Sequence, residues 1–537
     1  MILIFQANAI LRWLPSSRRL LLSNTTTSQS LSSFSFAEPY DAAAAAVPIH
    51  NNGAALQNNN HGVSRTSYSP PQQKRVDHSV VDQVLRYSIH DPIENAYTPP
   101  SSWYTEDNPK FHQYEKEAVF FRKNWVAVDI FPNQPAKGGA EAPPQSAEGV
   151  FFKTGTFLGQ PYLLTRNSEG QLQAFYNVCT HAGSCLVGPW TKTTTNQQQH
   201  CHPKLNSNLV GQSTEGYLEQ GKESFFQCPY HGWQFDASGR LLKATSVKGI
   251  QNFRPKDFGL RRIPVQQVGP IVFMNFGSSD REGEAVSKQN DNNWFDISRN
   301  LFLDRLDRNG FDRDLSSNLE LVKTKTYTVN CNWKVFVDNY GDGCYHCSYA
   351  HADLSSNIDE ENYSTEILPP DLSIQHAPPS SSSSCSTSRN NLSRTATYDE
   401  QQRQQQERFG TKTAIYAQWY PNLMLNRYGP WLDMDLVSPL TATTCQIVKA
   451  WFLERSFMDS LPDRASSFIE TSLQCSEQVH DEDVFLCENV QIGMQSRGFD
   501  QGRYVPSKQI ATFNFHQRLA RDLRTTAAIH EERAANL

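Results

Sequence analysis

The sequence lacks a long apolar run, a strong excess of one charge and an internal repeat. Its 49 Lys and Arg residues stand against 55 Asp and Glu residues, a net charge of −6, which gives no indication of a nucleic-acid surface. No stretch reaches the roughly 20 apolar residues that a membrane-spanning helix needs. We therefore expect no nucleic-acid partner and no membrane partner, and 537 residues are enough for two or three domains.

Cysteine usage and the N-terminal composition both indicate where the protein works in the cell. The 11 cysteines are an odd number at irregular spacing, which favours a reducing compartment over a secreted disulfide framework. Acidic residues are absent before Glu38, and residues 1–37 contain Arg12, Arg18 and Arg19 among many serines. This composition is typical of an organellar transit peptide, which we predict over 1–37.

Polar low-complexity tracts divide the rest of the chain. Residues 38–101 are predicted to be a linker, and residues 191–224 and 366–409 are predicted to be surface insertions, because such tracts bury little apolar surface. Short β-like runs such as QPYLLTRN and GPIVFMNFG lie between them, and the C-terminal part has helical spacing. We expect one domain over 102–275 and a second over 276–537.

Two short loops carry a soft-metal pattern. Cys179 and His181 stand in NVCTHAGSC, and Cys228 and His231 stand in CPYHGWQFDASG. Two thiolates and two imidazoles suit either a tetrahedral zinc ion or a [2Fe–2S] cluster with cysteines on one iron and histidines on the other. The spacing alone leaves both possibilities open.

The stretch DNYGDGCYHCSYAH, residues 338–351, is a second candidate site. His346 and His351 are five positions apart, and on an ideal helix such residues point about 140° away from each other. A plain helical face does not group them, whereas a metal ion at a helix end or at a distorted helix would. Two imidazoles and one carboxylate form the facial triad of oxygen-activating non-haem Fe(II). The interleaved Cys344 and Cys347 leave a redox pair as the alternative.

The segments CPYHGW and NWKVFVDNYGDGCYH together resemble the Rieske non-haem iron oxygenases. The resemblance extends over about 102–537 apart from the insertions. It implies an α+β fold, with an all-β Rieske [2Fe–2S] domain followed by a catalytic domain whose antiparallel β-sheet is flanked by helices, of the helix-grip type. It also implies that the first set of ligands holds the [2Fe–2S] cluster. These ligands are Cys179, His181, Cys228 and His231.

The same resemblance assigns the ligands of the second site. His346 and His351 match the family's pair of histidine ligands to mononuclear Fe(II). Asp483, in VHDEDVFLCENV, falls at the position of the carboxylate ligand, with Glu482 as the alternative. Acidic residues on a helix are usually just solvated, so only the resemblance selects Asp483.

The resemblance further implies that electrons pass between subunits. Asp342 matches the acidic residue that carries electrons from a neighbouring subunit's cluster to the iron. One more residue than usual separates Asp342 from His346, so Asp338 is the alternative. Electron transfer between neighbours implies a homo-oligomer, with a trimeric ring as the expected form.

Further segments are similar to the choline monooxygenases of glycine betaine synthesis, among them SSWYTEDNPKF, YPNLMLNRYGPWLDM and ENVQIGMQSRGFDQGRY. This similarity implies hydroxylation of choline to betaine aldehyde hydrate, with O2 as co-substrate and reduced ferredoxin as electron donor. It favours the chloroplast stroma as the location, with the mitochondrial matrix as the alternative. A quaternary ammonium has no N–H donor, and aromatic faces hold it instead. The candidate aromatic residues are Tyr416, Trp419, Tyr420, Tyr428 and Trp431.

Three other functions stay open at this point. A Rieske oxygenase could act on another quaternary amine, of betaine or carnitine type, or on an aromatic substrate. The chain could instead be a non-catalytic Rieske electron carrier, although the complete second site argues against this. A zinc-ribbon protein is the third alternative.

Overall fold

The computed structural model describes residues 78–131, 150–166, 169–187, 220–223, 225–277, 291–380, 405 and 407–535. The predicted transit peptide and most of the predicted insertion 191–224 lie outside these ranges. Over the described part of the chain, no helix combines the length and the apolar character that crossing a bilayer requires.

Short antiparallel strands build the part of the chain that contains the Cys-His loops. They are β1 (Val126–Ile130), β2 (Val150–Phe157), β3 (Gln160–Arg166), β4 (Leu172–Tyr176), β5 (Gln220–Glu223), β6 (Phe225–Gln227), β7 (Gln234–Asp236), β8 (Leu241–Lys243), β9 (Arg262–Ile263), β10 (Val265–Val268) and β11 (Ile271–Met274). Their sheets have the orders β5-β2-β3-β4-β9, β6-β7-β8 and β1-β11-β10. Leu163 and Phe175 pair across β3 and β4 and share one apolar core with Cys179 and Cys228, so this core holds both loops in place.

A seven-stranded antiparallel sheet forms the second part. Its strands are β12 (Leu319–Val329), β13 (Ser364–Leu368), β14 (Leu372–Ala377), β15 (Ala414–Trp419), β16 (Leu423–Tyr428), β17 (Trp431–Pro439) and β18 (Cys445–Glu454), in the order β12-β18-β17-β16-β15-β14-β13. Successive residues of a strand point to opposite faces. Leu425 and Met434 therefore pack in an apolar core on one face, while Asn426 and Asp433 lie on the other, polar face, which carries the second candidate site.

Helices cover both faces of this sheet. The helices of the described part of the chain include α1 (His78–Arg86), α2 (Pro109–Glu115), α3 (Asp291–Arg308), α4 (Trp333–Gly341), α5 (Cys347–Ala350), α6 (Ala352–Ser355), α7 (Arg455–Asp459), α8 (Ala465–Met494) and α9 (Ile510–Ala535). Asn332 caps α4, since its side chain accepts a hydrogen bond from the Lys334 N–H at 3.0 Å. The Asn332 N–H in turn donates to Oε1 of Gln491 on α8 at 2.7 Å. The cap therefore also ties α4 to α8.

The structure confirms the predicted α+β fold and corrects three predictions about irregular segments. Strand β5 (Gln220–Glu223) pairs with β2 although it lies within the predicted insertion 191–224. Part of the predicted linker 38–101 is helix α1, because Val84 packs into the main core. The first residues of the predicted insertion 366–409 belong to strands β13 and β14, where Ile374 is fully buried. The alternation of apolar and polar residues in these strands is short, and the Ser-rich tract that follows makes it hard to recognise in the sequence.

Candidate metal centres

Two loops of the same backbone geometry hold the first set of candidate ligands. The N–H of Cys179 donates to the carbonyl five residues later at 2.7 Å, and the N–H four residues later donates back to the Cys179 carbonyl at 2.9 Å. The loop of Cys228 repeats the two hydrogen bonds at 2.7 Å and 3.0 Å. Gly183 and Gly232 occupy the same place in the two loops, with φ of +75° and +73°, which glycine adopts without steric cost. Each cysteine is thus fixed by its own loop.

The four candidate side chains run from buried to exposed. Cys179 and Cys228 are each 1% exposed, whereas His181 and His231 lie at the surface with ring centroids 4.7 Å apart. Trp233 stacks on His181 at 4.6 Å. Burial raises the pKa of the Cys179 thiol, and the adjacent Cys228 thiol raises it further. Two neighbouring buried thiols with two imidazoles at the solvent edge fit a Rieske-type [2Fe–2S] cluster.

The second set of candidate ligands converges from distant parts of the chain. Oδ1 of Asp483, on α8, lies 3.0 Å from Nε2 of His351 and 3.5 Å from Nε2 of His346. One ligand atom from each residue lies within 4.8 Å of the other two, which suits one metal ion held by three protein ligands. The structure therefore brings together the three residues that the sequence singles out.

A break between two helical segments explains the five-residue spacing of the histidines. Helix α4 ends at Gly341, a 3₁₀ turn follows over Gly343–Tyr345, and α5 comes next. His346 precedes α5 and His351 follows it, with φ, ψ of −97°, −11° and −125°, 72°. The break turns both rings to one side, which is the distorted helix that the spacing predicts.

Glu482 contacts His351 at the ring nitrogen that Asp483 does not contact. Its Oε2 lies 2.8 Å from Nδ1 of His351, and a carboxylate there orients the ring and directs the other nitrogen to a metal. Burial lowers the pKa of His351, but Asp483 and Glu482 outweigh it and raise this pKa to about 9. Burial acts to raise the pKa of Asp483, but hydrogen bonds from His346 and His351 hold it well below its usual range.

Asn339 belongs to the site, and sequence reasoning missed it. Its Nδ2, on α4, donates to Oδ1 of Asp483 at 2.7 Å. The hydrogen bond fixes the orientation of the carboxylate. An amide is outside the usual metal-ligand pattern, so the only signal in the sequence is its place in the matched segment DNYGDG.

Asp342 and Asp338 make their hydrogen bonds near α9 rather than to the paired histidines. Thr512 Oγ1 and Gln509 Nε2 donate to Oδ1 of Asp342 at 2.8 Å and 3.0 Å. Nε2 of His516 lies 2.9 Å from Oδ1 of Asp338. Burial raises the pKa of Asp342, while Gln509 and Thr512 lower it. Asp342 is one helical turn nearer the histidines, and its role as electron bridge stays a prediction.

A cavity of about 150 Å³ opens beside the histidines and Asp483. Tyr416 and Tyr428, two of the five aromatic residues predicted to hold a cation, line it. The other three do not. Trp419 lies in the apolar core on the opposite face of the sheet, the Tyr420 hydroxyl donates to a carboxylate of α9 at 2.8 Å, and Trp431 stacks on Phe468. The tyrosines that line the cavity without having been predicted are Tyr340 and Tyr363.

Two family models match the chain. The model described as a Rieske [2Fe-2S] domain matches residues 142–254, and the model described as ring hydroxylating alpha subunit (catalytic domain) matches residues 316–525. Both matches fall within the predicted domains 102–275 and 276–537, whose limits stay predictions. The first match decides between zinc and [2Fe–2S] in favour of the cluster, and the second argues against a simple electron carrier.

Several known proteins are similar to the chain over most of its length. The choline monooxygenases of Arabidopsis thaliana and Spinacia oleracea are 34% and 30% identical, each over 82% of this chain and over 87% and 81% of their own length. The carnitine monooxygenase oxygenase subunit of Escherichia coli is 26% identical over 77% of this chain and 88% of its own. A solved quaternary ammonium Rieske monooxygenase, whose structure is described in terms of carnitine oxidation and inter-subunit electron transfer, superposes with a TM-score of 0.54 at 20% identity, covering 82% and 96% of the two chains. It supports the same fold.

Proposed function

Because the chain belongs to the Rieske oxygenases, in the family of the plant choline monooxygenases, we propose that it hydroxylates choline to betaine aldehyde hydrate. The donor is reduced ferredoxin, and the reaction is the first step of glycine betaine synthesis. One atom of O2 enters a C–H bond of the alcohol carbon and the other leaves as water, with two electrons and two protons consumed. The observation that carries the proposal is a facial triad beside a cavity lined by tyrosines.

The side chains fit two resident cofactors. The ligands proposed for the [2Fe–2S] cluster are Cys179, His181, Cys228 and His231, and those proposed for Fe(II) are His346, His351 and Asp483. When bound, the cluster supplies single electrons and the iron supplies O2 activation. Glu482 and Asn339 hold His351 and Asp483 in orientation.

The cavity provides the substrate's position. The buried walls exclude water from the reacting atoms, and the faces of tyrosine rings attract a quaternary ammonium group, which has no N–H to donate. The triad comes from helical segments beside the cavity, whereas Tyr416 and Tyr428 come from strands of the sheet. Choline would therefore point its alcohol carbon to the triad and its charged end to the sheet.

We propose that electrons arrive from a neighbouring subunit in a homotrimer. His181 and His231 are exposed, so the edge of the cluster that they hold faces outward. Asp342, fixed by Thr512 and Gln509, is the proposed point of entry. The plant relatives are named as chloroplastic, which supports the stroma as the location, with the mitochondrial matrix as the alternative.

Choline-dependent oxygen consumption with reduced ferredoxin tests the proposal. The expected result is one betaine aldehyde formed per O2 consumed, and no turnover without ferredoxin. Turnover of another amine in the absence of any choline turnover would contradict it. Replacing His346 by Ala is the control, since oxygen uptake that survives this change would not come from the triad.

Arg408 favours a second candidate substrate. This residue is 7% exposed and lines the cavity, and within the described part of the chain its Nε has no hydrogen-bond partner. Guanidinium groups pair well with carboxylates, so a carboxylated quaternary amine of carnitine or betaine type would use it. Turnover of L-carnitine in preference to choline would select this candidate.

A further inference from the structure

A row of polar side chains crosses the sheet at the wall of the cavity. The residues of this row, in register on four neighbouring strands, are Gln375, Tyr416, Asn426 and Asp433. Paired residues of neighbouring strands point to the same face, and all four line the cavity. Tyr416 and Asp433 are two strands apart, so roughly 10 Å separates their backbones. The row therefore has an aromatic ring and a carboxylate on either side of a short amide.

The two amides of the row have their own partners. The Tyr340 hydroxyl donates to Oδ1 of Asn426 at 2.9 Å, and Nε2 of Gln375 donates to the Tyr340 carbonyl at 3.0 Å. Tyr340 of α4 thus fixes both side chains. Asn426 lies between Tyr416 and Asp433 in the row, and its acceptor oxygen is already engaged.

Asp433 differs from the rest of the row because half of its carboxylate has no donor. The residue is 3% exposed, and Oδ2 accepts a hydrogen bond from the Tyr428 hydroxyl at 2.7 Å. Oδ1 is buried, and no described residue donates to it. A buried carboxylate oxygen without a partner is costly, so its position at a cavity wall points to a ligand as the missing partner.

The charges around Asp433 leave it incompletely compensated. Nζ of Lys449 is engaged by Asp435 at 2.9 Å, and the guanidinium of Arg408 lies 5.6 Å from the centroid of the Tyr428 ring. Burial raises the pKa of Asp433 to about 6, although Lys449, the Tyr428 hydroxyl and Arg408 lower it, and Asp435 raises it. A cation in the cavity would stabilise the charged form of Asp433.

We propose that Asp433 is a specificity-determining residue whose Oδ1 faces the quaternary ammonium group of the substrate, with the Tyr416 ring on the other side of that group. The ring contributes cation–π attraction, and the carboxylate contributes a full charge and accepts weak C–H···O contacts from the methyl groups. A neutral molecule of the same shape gains neither. The inference rests on the proposed function in one respect, that the substrate carries a quaternary ammonium group, which choline shares with carnitine-type amines.

Choline and 3,3-dimethylbutan-1-ol, in which a neutral carbon replaces the nitrogen, form the matched pair that tests this. In the holoenzyme, Asp433→Asn keeps an acceptor for Tyr428 and removes only the charge. It should raise both KM and the calorimetric Kd for choline by at least about 30-fold and leave those of the neutral alcohol nearly unchanged. Equal increases for both compounds would overturn the inference, since Asp433 would then only shape the cavity.

A control variant and a measurement on the unchanged protein complete the test. Glu320→Gln removes a carboxylate of the same sheet that pairs with Arg455 at 2.9 Å, away from the cavity, and should leave both affinities unchanged. Should Asp433→Asn fail to fold, the wild-type protein itself should bind choline at least about 30-fold more tightly than the neutral alcohol, and equal affinities would contradict the inference. Failure of the proposed function is distinct, because it would appear as a lack of choline turnover while the preference for a charged ligand persists.

Discussion

The [2Fe–2S] loops and the triad place their ligands in opposite ways. Around Cys179 and Cys228, hydrogen bonds between residues four and five apart close each loop on itself. In the triad, Asp483 of α8 meets His346 and His351 only because α4 and α8 pack together on the polar face of the sheet. The first centre therefore depends on local backbone geometry, and the second depends on tertiary packing.

The two centres also differ in their exposure to water. His181 and His231 lie at the surface, where a cluster can exchange electrons with a partner. The triad adjoins a cavity whose walls bury ionisable groups such as Asp433 and Lys449. Exposure suits electron transfer, and enclosure suits a reaction that must keep O2 and substrate together and water out.

Removing one ligand from each centre has the largest expected effect. Each change should abolish metal binding at its own centre and leave the other centre intact. His346→Ala should lose mononuclear iron and lower choline-dependent oxygen uptake by more than about 100-fold. Its [2Fe–2S] visible and low-temperature EPR spectra should be intact. Cys179→Ala should lose those spectra and keep the mononuclear iron, as measured by metal analysis. A variant that loses both metals would show that the centres do not fold independently.

Replacing Glu482 or Asn339, which contact the triad residues, should have the second-largest effect. Glu482→Gln and Asn339→Ala remove hydrogen bonds to His351 and Asp483, and each should weaken iron binding about 10- to 100-fold in competition with a chelator. Glu477→Gln is the matched control on α8, because Glu477 pairs with Lys323 at 2.8 Å outside the site. Unchanged iron affinity in both test variants would mean that packing alone orients the triad.

The contrast between local and tertiary placement explains what the sequence could predict. The Cys-His loops are recognisable as short sequence motifs, and the spacing of His346 and His351 already indicates a broken helix. Asp483 required the family resemblance, because a carboxylate on a helix is usually solvated. The roles of Asn339 and Glu482 depend on how α4 and α8 face each other, which segments so far apart in the sequence do not reveal.

Strand register accounts for the other misses. Tyr416 and Trp419 are an odd number of residues apart on one strand, so they point to opposite faces of the sheet. Only Tyr416 reaches the cavity. Counting the aromatic residues of a segment therefore overestimates how many of them line a binding site. Asp433 stands in the segment YPNLMLNRYGPWLDM that is similar to the choline monooxygenases, but its unpaired oxygen becomes apparent only when its neighbours on β16 and β18 are known.

The burial of Asp433, which is 3% exposed, predicts a pH effect that the exposed loops should not share. Burial raises the pKa of Asp433 to about 6, so the carboxylate is charged above this pH and neutral below it. Affinity for choline should fall about fivefold from pH 6 to pH 5, while affinity for 3,3-dimethylbutan-1-ol should stay level. Asp433→Asn should abolish the difference in pH dependence between the two compounds. A parallel fall for both would assign the titration to another group.

The smallest effect tests the claim that each loop closes on itself. Gly183→Ala and Gly232→Ala force a side chain onto φ of +75° and +73° and should each lower the free energy of unfolding by about 1–2 kcal/mol. An added Cβ at Gly183 meets nothing within 4 Å, so this cost is conformational rather than steric. Gly493→Ala, in α8, also meets nothing within 4 Å, but it should stabilise by about 0.5–1 kcal/mol because the residue is helical.

Denaturant unfolding followed by the visible absorption of the cluster measures these changes in the two loops. Because each loop is closed by its own hydrogen bonds, the two loop variants should have equal effects and leave the iron affinity of the triad unchanged. Loss of mononuclear iron from Gly183→Ala or Gly232→Ala would show instead that the loops are supported by the rest of the fold. The [2Fe–2S] centre would then not depend on local backbone geometry alone.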